Sequence, residues 1–205
     1  MSDWPTGKYK IIYADPPWHF KTYTMPRADM PLPDHPSRAR HPAAHYKTME
    51  IDEISKLAVN AWSDDDSILV MWVYDPMLPR ALEVANAWGF NFCTVLFRWI
   101  KATDGQLRLF DNTERLNFGT GYHTRGGGCE EAWLFKRGKG LPVLKHDIRK
   151  EFYSPVREHS RKPDEVADWI VQLYGDVPRL EMFARTTRPG WSQFGNEVSK
   201  FEAIA

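Results

Sequence analysis

The chain has 205 residues, 42% of them apolar and 26% charged, close to the average of globular domains. That excludes disordered, collagen-like and membrane-embedded chains, and the length predicts a single domain over residues 1–205, at the upper end of what one hydrophobic core supports. With 27 basic and 27 acidic residues the net charge is zero, so no global field argues for a polyanionic partner.

The charge is unevenly placed. Residues 98–162 hold 14 basic and 8 acidic groups, balanced by acidic flanks. A local basic surface and a solvated mixed-charge face fit that count equally well. No apolar run approaches the roughly 18 residues of a membrane span, and the N-terminus lacks the features of a signal peptide. Cys93 and Cys129 form neither a CxxC pair nor a disulfide framework. A reduced, cytoplasmic compartment with no membrane partner is the expectation.

Along the chain, Tyr9–Ala14 reads as a strand that stops at Asp15-Pro16-Pro17, where two prolines end the ladder. The proline-rich stretch over 19–45 predicts a long, lid-like loop. Ile51, Ile54, Leu57, Ala58 and Trp62 recur at helical spacing, and Ser67–Val73 is a continuous apolar strand of the kind buried on both faces. Leu78, Ala81, Leu82, Ala85 and Trp88 mark a second helix, closed by Gly89. Phe90–Ile100 is a further strand, 104–128 a glycine-rich loop, and Glu131–Lys136 a strand. A helix begins near Pro163, carries Val166, Trp169, Ile170 and Leu173 inward and ends at Gly175, before a last strand over Arg179–Ala184. The alternation predicts an α/β fold, an open, mostly parallel twisted sheet flanked by helices. Trp62, Trp88 and Trp169 fall on apolar helical faces and are assigned to the core.

Ligands of such sheets collect at the carboxyl ends of the strands, which singles out Asp15 and Glu181. Proline has no amide hydrogen, so Pro16 and Pro17 should leave carbonyls free as acceptors beside the Asp15 carboxylate, with Trp18 adding a flat apolar surface. That set suits a planar aromatic amine. Two acceptors on its hydrogens would favour rehybridisation of the nitrogen as it attacks a methyl group. The plain alternative is a proline-terminated strand with a core tryptophan. His41 and His45 are spaced i, i+4 but lack the glutamate of an HExxH motif, so no metal is expected, and no dinucleotide or phosphate-binding glycine loop is present.

The chain resembles the S-adenosylmethionine-dependent adenine-N6 methyltransferases, a family that includes the catalytic subunit of the messenger-RNA adenosine methyltransferase and small bacterial and phage relatives. The resemblance rests on Asp15-Pro16-Pro17-Trp18, His45-Tyr46-Lys47-Thr48-Met49, Leu69–Val73, Ala87-Trp88-Gly89-Phe90, Arg161–Glu165, Glu181–Arg185, Arg188–Trp191 and Gly195-Asn196-Glu197, in the family's order and over nearly the whole chain. It implies a Rossmann-like methyltransferase fold with a permuted order, the catalytic loop ahead of the cofactor-binding strand. It implies that Asp15, Pro16, Pro17 and Trp18 are catalytic and hold the target amine, and that Tyr46 and His45 bind substrate. Lys162, Glu181, Arg185, Asn196 and Glu197 match positions that contact the S-adenosylmethionine cofactor.

The function this implies is methyl transfer to the 6-amino group of adenine, with nucleic acid as partner and DNA favoured over RNA. The target base would be flipped out or single-stranded. The rivals are an RNA enzyme, a non-catalytic nucleic-acid-binding or scaffold subunit, and a small-molecule N-methyltransferase. The small size leaves little surface for reading a long site, which favours a homodimer or a partner subunit.

Overall fold

The computed structural model describes residues 5–19, 48–102, 128–158, 161–198 and 200. His45, Tyr46 and nearly all of the two expected long loops lie outside the described residues.

Among the described residues seven strands form one sheet. In chain order they are β1 (Tyr9–Ala14), β2 (Ser63–Val73), β3 (Asn91–Ala102), β4 (Cys129–Arg137), β5 (Glu151–Pro155), β6 (Arg179–Met182) and β7 (Ser192–Phe194), arranged β5-β3-β4-β2-β1-β6-β7. Four of the six ladders are parallel; β4 is antiparallel to both β2 and β3. The sequence led from β2 through a helix to β3, yet β4 inserts between them. An antiparallel neighbour needs no helical crossover, whereas a parallel one does. The edge strands β5 and β7 were not foreseen, because strands of five and three residues carry too few alternations to register as a period.

Alternation along β1 and β2 sorts their side chains onto two faces. Ile12, Ala14, Leu69, Met71 and Val73 pack with Ile54 of α1 (Ile51–Ser55), Val59 and Trp62 of α2 (Val59–Trp62) and Ala81, Val84 and Ala85 of α3 (Leu78–Ala87). Ile11, Tyr13, Ile68, Val70 and Trp72 pack with Val166, Ala167, Ile170 and Leu173 of α4 (Glu165–Tyr174). Strands buried on both faces read as unbroken apolar runs, which is why Ser67–Val73 was legible. The single helix expected over 51–62 is two short ones, α1 and α2, separated at Lys56–Ala58.

Gly89 and Gly175 close α3 and α4 as expected, both in the left-handed region, with φ of 85° and 90°. Trp88 is fully buried and its Nε1 donates to the Ile54 carbonyl at 3.0 Å, locking α3 onto α1. The strand ending at Asp15 comes first and the one leading to Arg185 sixth, with helices on both faces. This is the α/β, Rossmann-like, permuted architecture that the resemblance implies.

Candidate active site

Register builds the site. Ala14, the last residue of β1, lies opposite Met71 and Met182, and Met182 opposite Phe194. The residues that follow therefore emerge side by side at one edge of the sheet: Asp15 after β1, Phe183 to Arg185 after β6, Gly195 to Glu197 after β7. α1 and α2, which lie between β1 and β2 in the chain, pack on one face, and α4, which precedes β6, packs on the other, so the tips of β1 and β6 flank a crevice where the topology switches.

A cavity of about 410 Å³ opens there, lined by Asp15, Pro16, Pro17, Met49, Glu53, Phe183, Ala184, Arg185, Asn196 and Glu197. Its size and its mix of apolar walls with a few convergent polar groups suit a small-molecule site. Phe183 has φ 59° without being glycine, a strained conformation of the kind that concentrates at functional sites. Gly195 packs on this bend so closely that an added Cβ would stand 2.5 Å from the Ala184 carbonyl oxygen.

Asp15 is held by two cations. Lys162 Nζ lies 2.8 Å from Oδ1 and 2.9 Å from Oδ2, and Arg185 Nη2 lies 3.2 Å from Oδ2. Lys162 also reaches Glu130 Oε2 at 3.3 Å, and Lys101 pairs with the other oxygen of Glu130. The result is a row of alternating charge: Lys101, Glu130, Lys162, Asp15, Arg185. Burial would raise the Glu130 carboxyl, but Lys162 and Lys101 outweigh it and hold it at about 2. Burial likewise works against the Lys162 ammonium, and Asp15 with Glu130 outweighs that and raises it above its ordinary value.

Beside this row a second network surrounds Asp164, which accepts from Arg157 at 2.6 Å, Arg188 at 2.8 Å and Arg161 at 3.1 Å. Burial works to raise the Asp164 carboxyl, but the Arg157 and Arg188 guanidinium groups outweigh it and hold it at about 2. Arg188 also donates to Glu181 at 2.9 Å. Burial pushes the Glu181 carboxyl up to about 7 against the pull of Arg188.

The residues singled out in the sequence divide accordingly. Asp15, Pro16, Pro17, Arg185, Asn196 and Glu197 line the 410 Å³ cavity. Lys162 and Glu181 are not in that wall but line an adjoining space of about 30 Å³, which shares Asp15, Phe183 and Arg185 with the larger cavity. Trp18 is 6% exposed, packs in the core beneath and donates from Nε1 to the Trp72 carbonyl at 3.4 Å, so its indole anchors the motif. The proline carbonyls are partly engaged: Pro16 accepts from the Trp18 amide at 2.8 Å and Pro17 from the Met49 amide at 2.9 Å. Each keeps a second lone pair.

Glu130, Lys101, Met49, Glu53 and Phe183 were missed. Glu130 had a usable signal. An antiparallel strand brings its amino end to the edge where its parallel neighbours end, and Glu130 is the second residue of β4. Among the described residues no cluster of His, Cys, Asp or Glu could hold a metal ion, and no helix is long and apolar enough to cross a membrane.

The sequence pattern of the MT-A70 family matches residues 9–197, which takes in every element of the sheet. The chain belongs to the MT-A70 family. It is 28% identical over 200 residues to the type II methyltransferase M.MunI of a Mycoplasma species, covering 95% of this chain and 79% of that enzyme. It is 27% identical over 198 residues to the human N(6)-adenosine-methyltransferase catalytic subunit METTL3, and 27% identical over 200 residues to the Drosophila melanogaster N(6)-adenosine-methyltransferase MT-A70-like protein. Those matches cover 94% and 97% of this chain but 28% of each relative, so the chain spans little more than a quarter of their length. Membership of MT-A70 makes this a methyltransferase-family protein.

Proposed function

We propose that the protein transfers a methyl group from S-adenosylmethionine to the 6-amino group of adenine in DNA. The observation that carries the reading is the placement of Asp15, fixed by Lys162 and Arg185 on the wall of a cavity at the tips of β1 and β6.

The cavity residues fit the methyl donor. Arg185 complements a carboxylate, Glu53 and Glu197 offer anionic partners to ammonium and sulfonium groups, and the Asn196 amide suits ribose hydroxyls. Bound there, S-adenosylmethionine would supply an electrophilic methyl group for direct displacement by the amine. Asp15 presents about four acceptor sites, three of which Lys162 and Arg185 occupy, leaving one on Oδ1 for an amine hydrogen. Pinned by two cations, the carboxylate acts as an acceptor for the charge developing on nitrogen rather than as a strong base. Pro16 and Pro17 hold that carboxylate rigidly. His45 and Tyr46 would complete the substrate side.

DNA is favoured because the match to M.MunI spans most of that enzyme. RNA is the second reading, favoured by the relatives named as N(6)-adenosine methyltransferases. The proposal takes residues 1–205 as one catalytic domain in the cytoplasm, working as a homodimer or with a partner subunit. Labelled S-adenosylmethionine should be incubated with duplex DNA, single-stranded DNA and RNA, and the nucleosides analysed by mass spectrometry. Label in N6-methyldeoxyadenosine supports the reading, label confined to N6-methyladenosine moves it to RNA, and no label in any pool overturns it.

A further inference from the structure

The basic surplus of residues 98–162 has a definite address. Residues 103–127 contribute three basic and three acidic groups and so none of it, whereas residues 136–150 hold six lysines and arginines and one acid, Asp147. Beyond Arg137, where β4 ends, residues 138–150 run as an extended strap without helix or strand to β5.

The strap is fastened at several points. The Lys139 amide donates to Asp66 Oδ1 at 2.7 Å, and the Leu144 amide to the Leu173 carbonyl of α4 at 2.7 Å. Leu141 and Ile148 pack against the core on the α4 side. Gly138 has φ 57°, and a Cβ there would meet Asp66 Oδ1 at 2.2 Å, so the turn into the strap requires glycine. Lys139, Lys145, Arg149 and Lys150 all face solvent. Lys145 reaches Gln172 Oε1 at 2.8 Å and Asp147 at 3.7 Å. Among the described residues Lys139, Arg149 and Lys150 have no carboxylate partner, while Arg80, Arg98, Lys101, Arg157 and Arg188 are each ion-paired.

We propose that the strap over residues 138–150 is a docking track for the phosphate backbone of nucleic acid flanking the target base. An anchored set of four exposed cations, three of them without a carboxylate partner among the described residues, on a chain of zero net charge is placed to release counterions from a polyanion without ordering the chain anew. The strap crosses Gln172 and Leu173 in the last turn of α4, while Lys162 and Asp164 precede its first turn. Ten helical residues at 1.5 Å each put about 15 Å between strap and site along the helix axis. The track therefore engages nucleotides about four or more steps from the reacting base, at ~3.4 Å per step. This rests on the nucleic-acid reading above, and its test does not need turnover.

The combined variant Lys139→Gln, Lys145→Gln, Arg149→Gln, Lys150→Gln changes only exposed side chains outside the cavity. Its binding to a labelled duplex of about 30 base pairs should be titrated by fluorescence anisotropy at several salt concentrations, beside a hairpin of about six base pairs. The expected result is affinity for the long duplex at least about tenfold weaker at low salt, with a log–log salt slope shallower by about 3 to 4. Binding of the short hairpin and of S-adenosylmethionine should be unchanged. Equal affinity and slope for variant and parent overturn the proposal, as does a loss confined to anionic phosphatidylserine vesicles. Strap-dependent duplex binding without methyl transfer would leave the track standing and remove the methylation reading alone.

Discussion

The Lys162 ammonium spans both carboxylate oxygens of Asp15, at 2.8 and 2.9 Å, joining residues 147 positions apart in the chain. Lys162 is in turn tied to Glu130, so the carboxylate at the tip of β1 is oriented from β4 through an intervening cation. Lys162→Met should leave Asp15 with Arg185 alone and Glu130 with Lys101 alone. Losing the shared cation should cost about 1–3 kcal/mol, to be read by chemical denaturation, and methyl transfer should fall with it.

Asp15→Asn keeps the shape of the motif and removes its charge. Transfer should drop by at least about a hundredfold, the scale of losing a transition-state electrostatic partner. Affinity for S-adenosylmethionine, measured by calorimetry, should change far less. Unchanged turnover would remove Asp15 from the chemistry.

Glu130 gives the fold an acid-sensitive element. Its carboxyl is held at about 2 in the folded protein against an ordinary 4.5, so the stabilisation is full above pH 4.5 and is lost as pH falls toward 2. The shift corresponds to roughly 3 kcal/mol. Unfolding curves between pH 2 and 6 should show this fall in the parent and a flatter profile in Glu130→Gln, which should also be less stable at neutral pH.

Gly195→Ala would place a Cβ 2.5 Å from the Ala184 carbonyl oxygen and 2.8 Å from its nitrogen, both backbone atoms that cannot swing aside. Relief requires displacing the segment that carries Asn196 and Glu197 into the cavity. S-adenosylmethionine affinity should fall by about tenfold or more, equivalent to about 1.4 kcal/mol, with a smaller loss in thermal stability.

Trp88→Ala tests the packing of α3 on α1 apart from the site. Deleting a fully buried indole that donates to the Ile54 carbonyl should cost about 3–5 kcal/mol by denaturant titration. Ligand affinity measured well below the new midpoint should be retained.

The elements legible in the sequence are those whose signals are local. The run Ser67–Val73, the stripe through Leu78–Trp88 and the glycines that close α3 and α4 carry their period or their φ requirement within a few residues. The sequence also carries the family, because the motifs around Asp15, Arg185 and Asn196 keep their order along the chain. What it could not show depends on partners distant in sequence. β4 between β2 and β3, the two short edge strands, the partial engagement of the proline carbonyls and the turning of Trp18 into the core are outcomes of pairing and packing. The alternating row from Lys101 to Arg185 belongs to the same class: five residues from five places in the chain acquire their charge relationships only where the sheet brings its edges together. Coulomb attraction at a few ångströms in a mostly buried site decides the protonation of Glu130 and the aim of Asp15, and sequence separation carries no information about that distance.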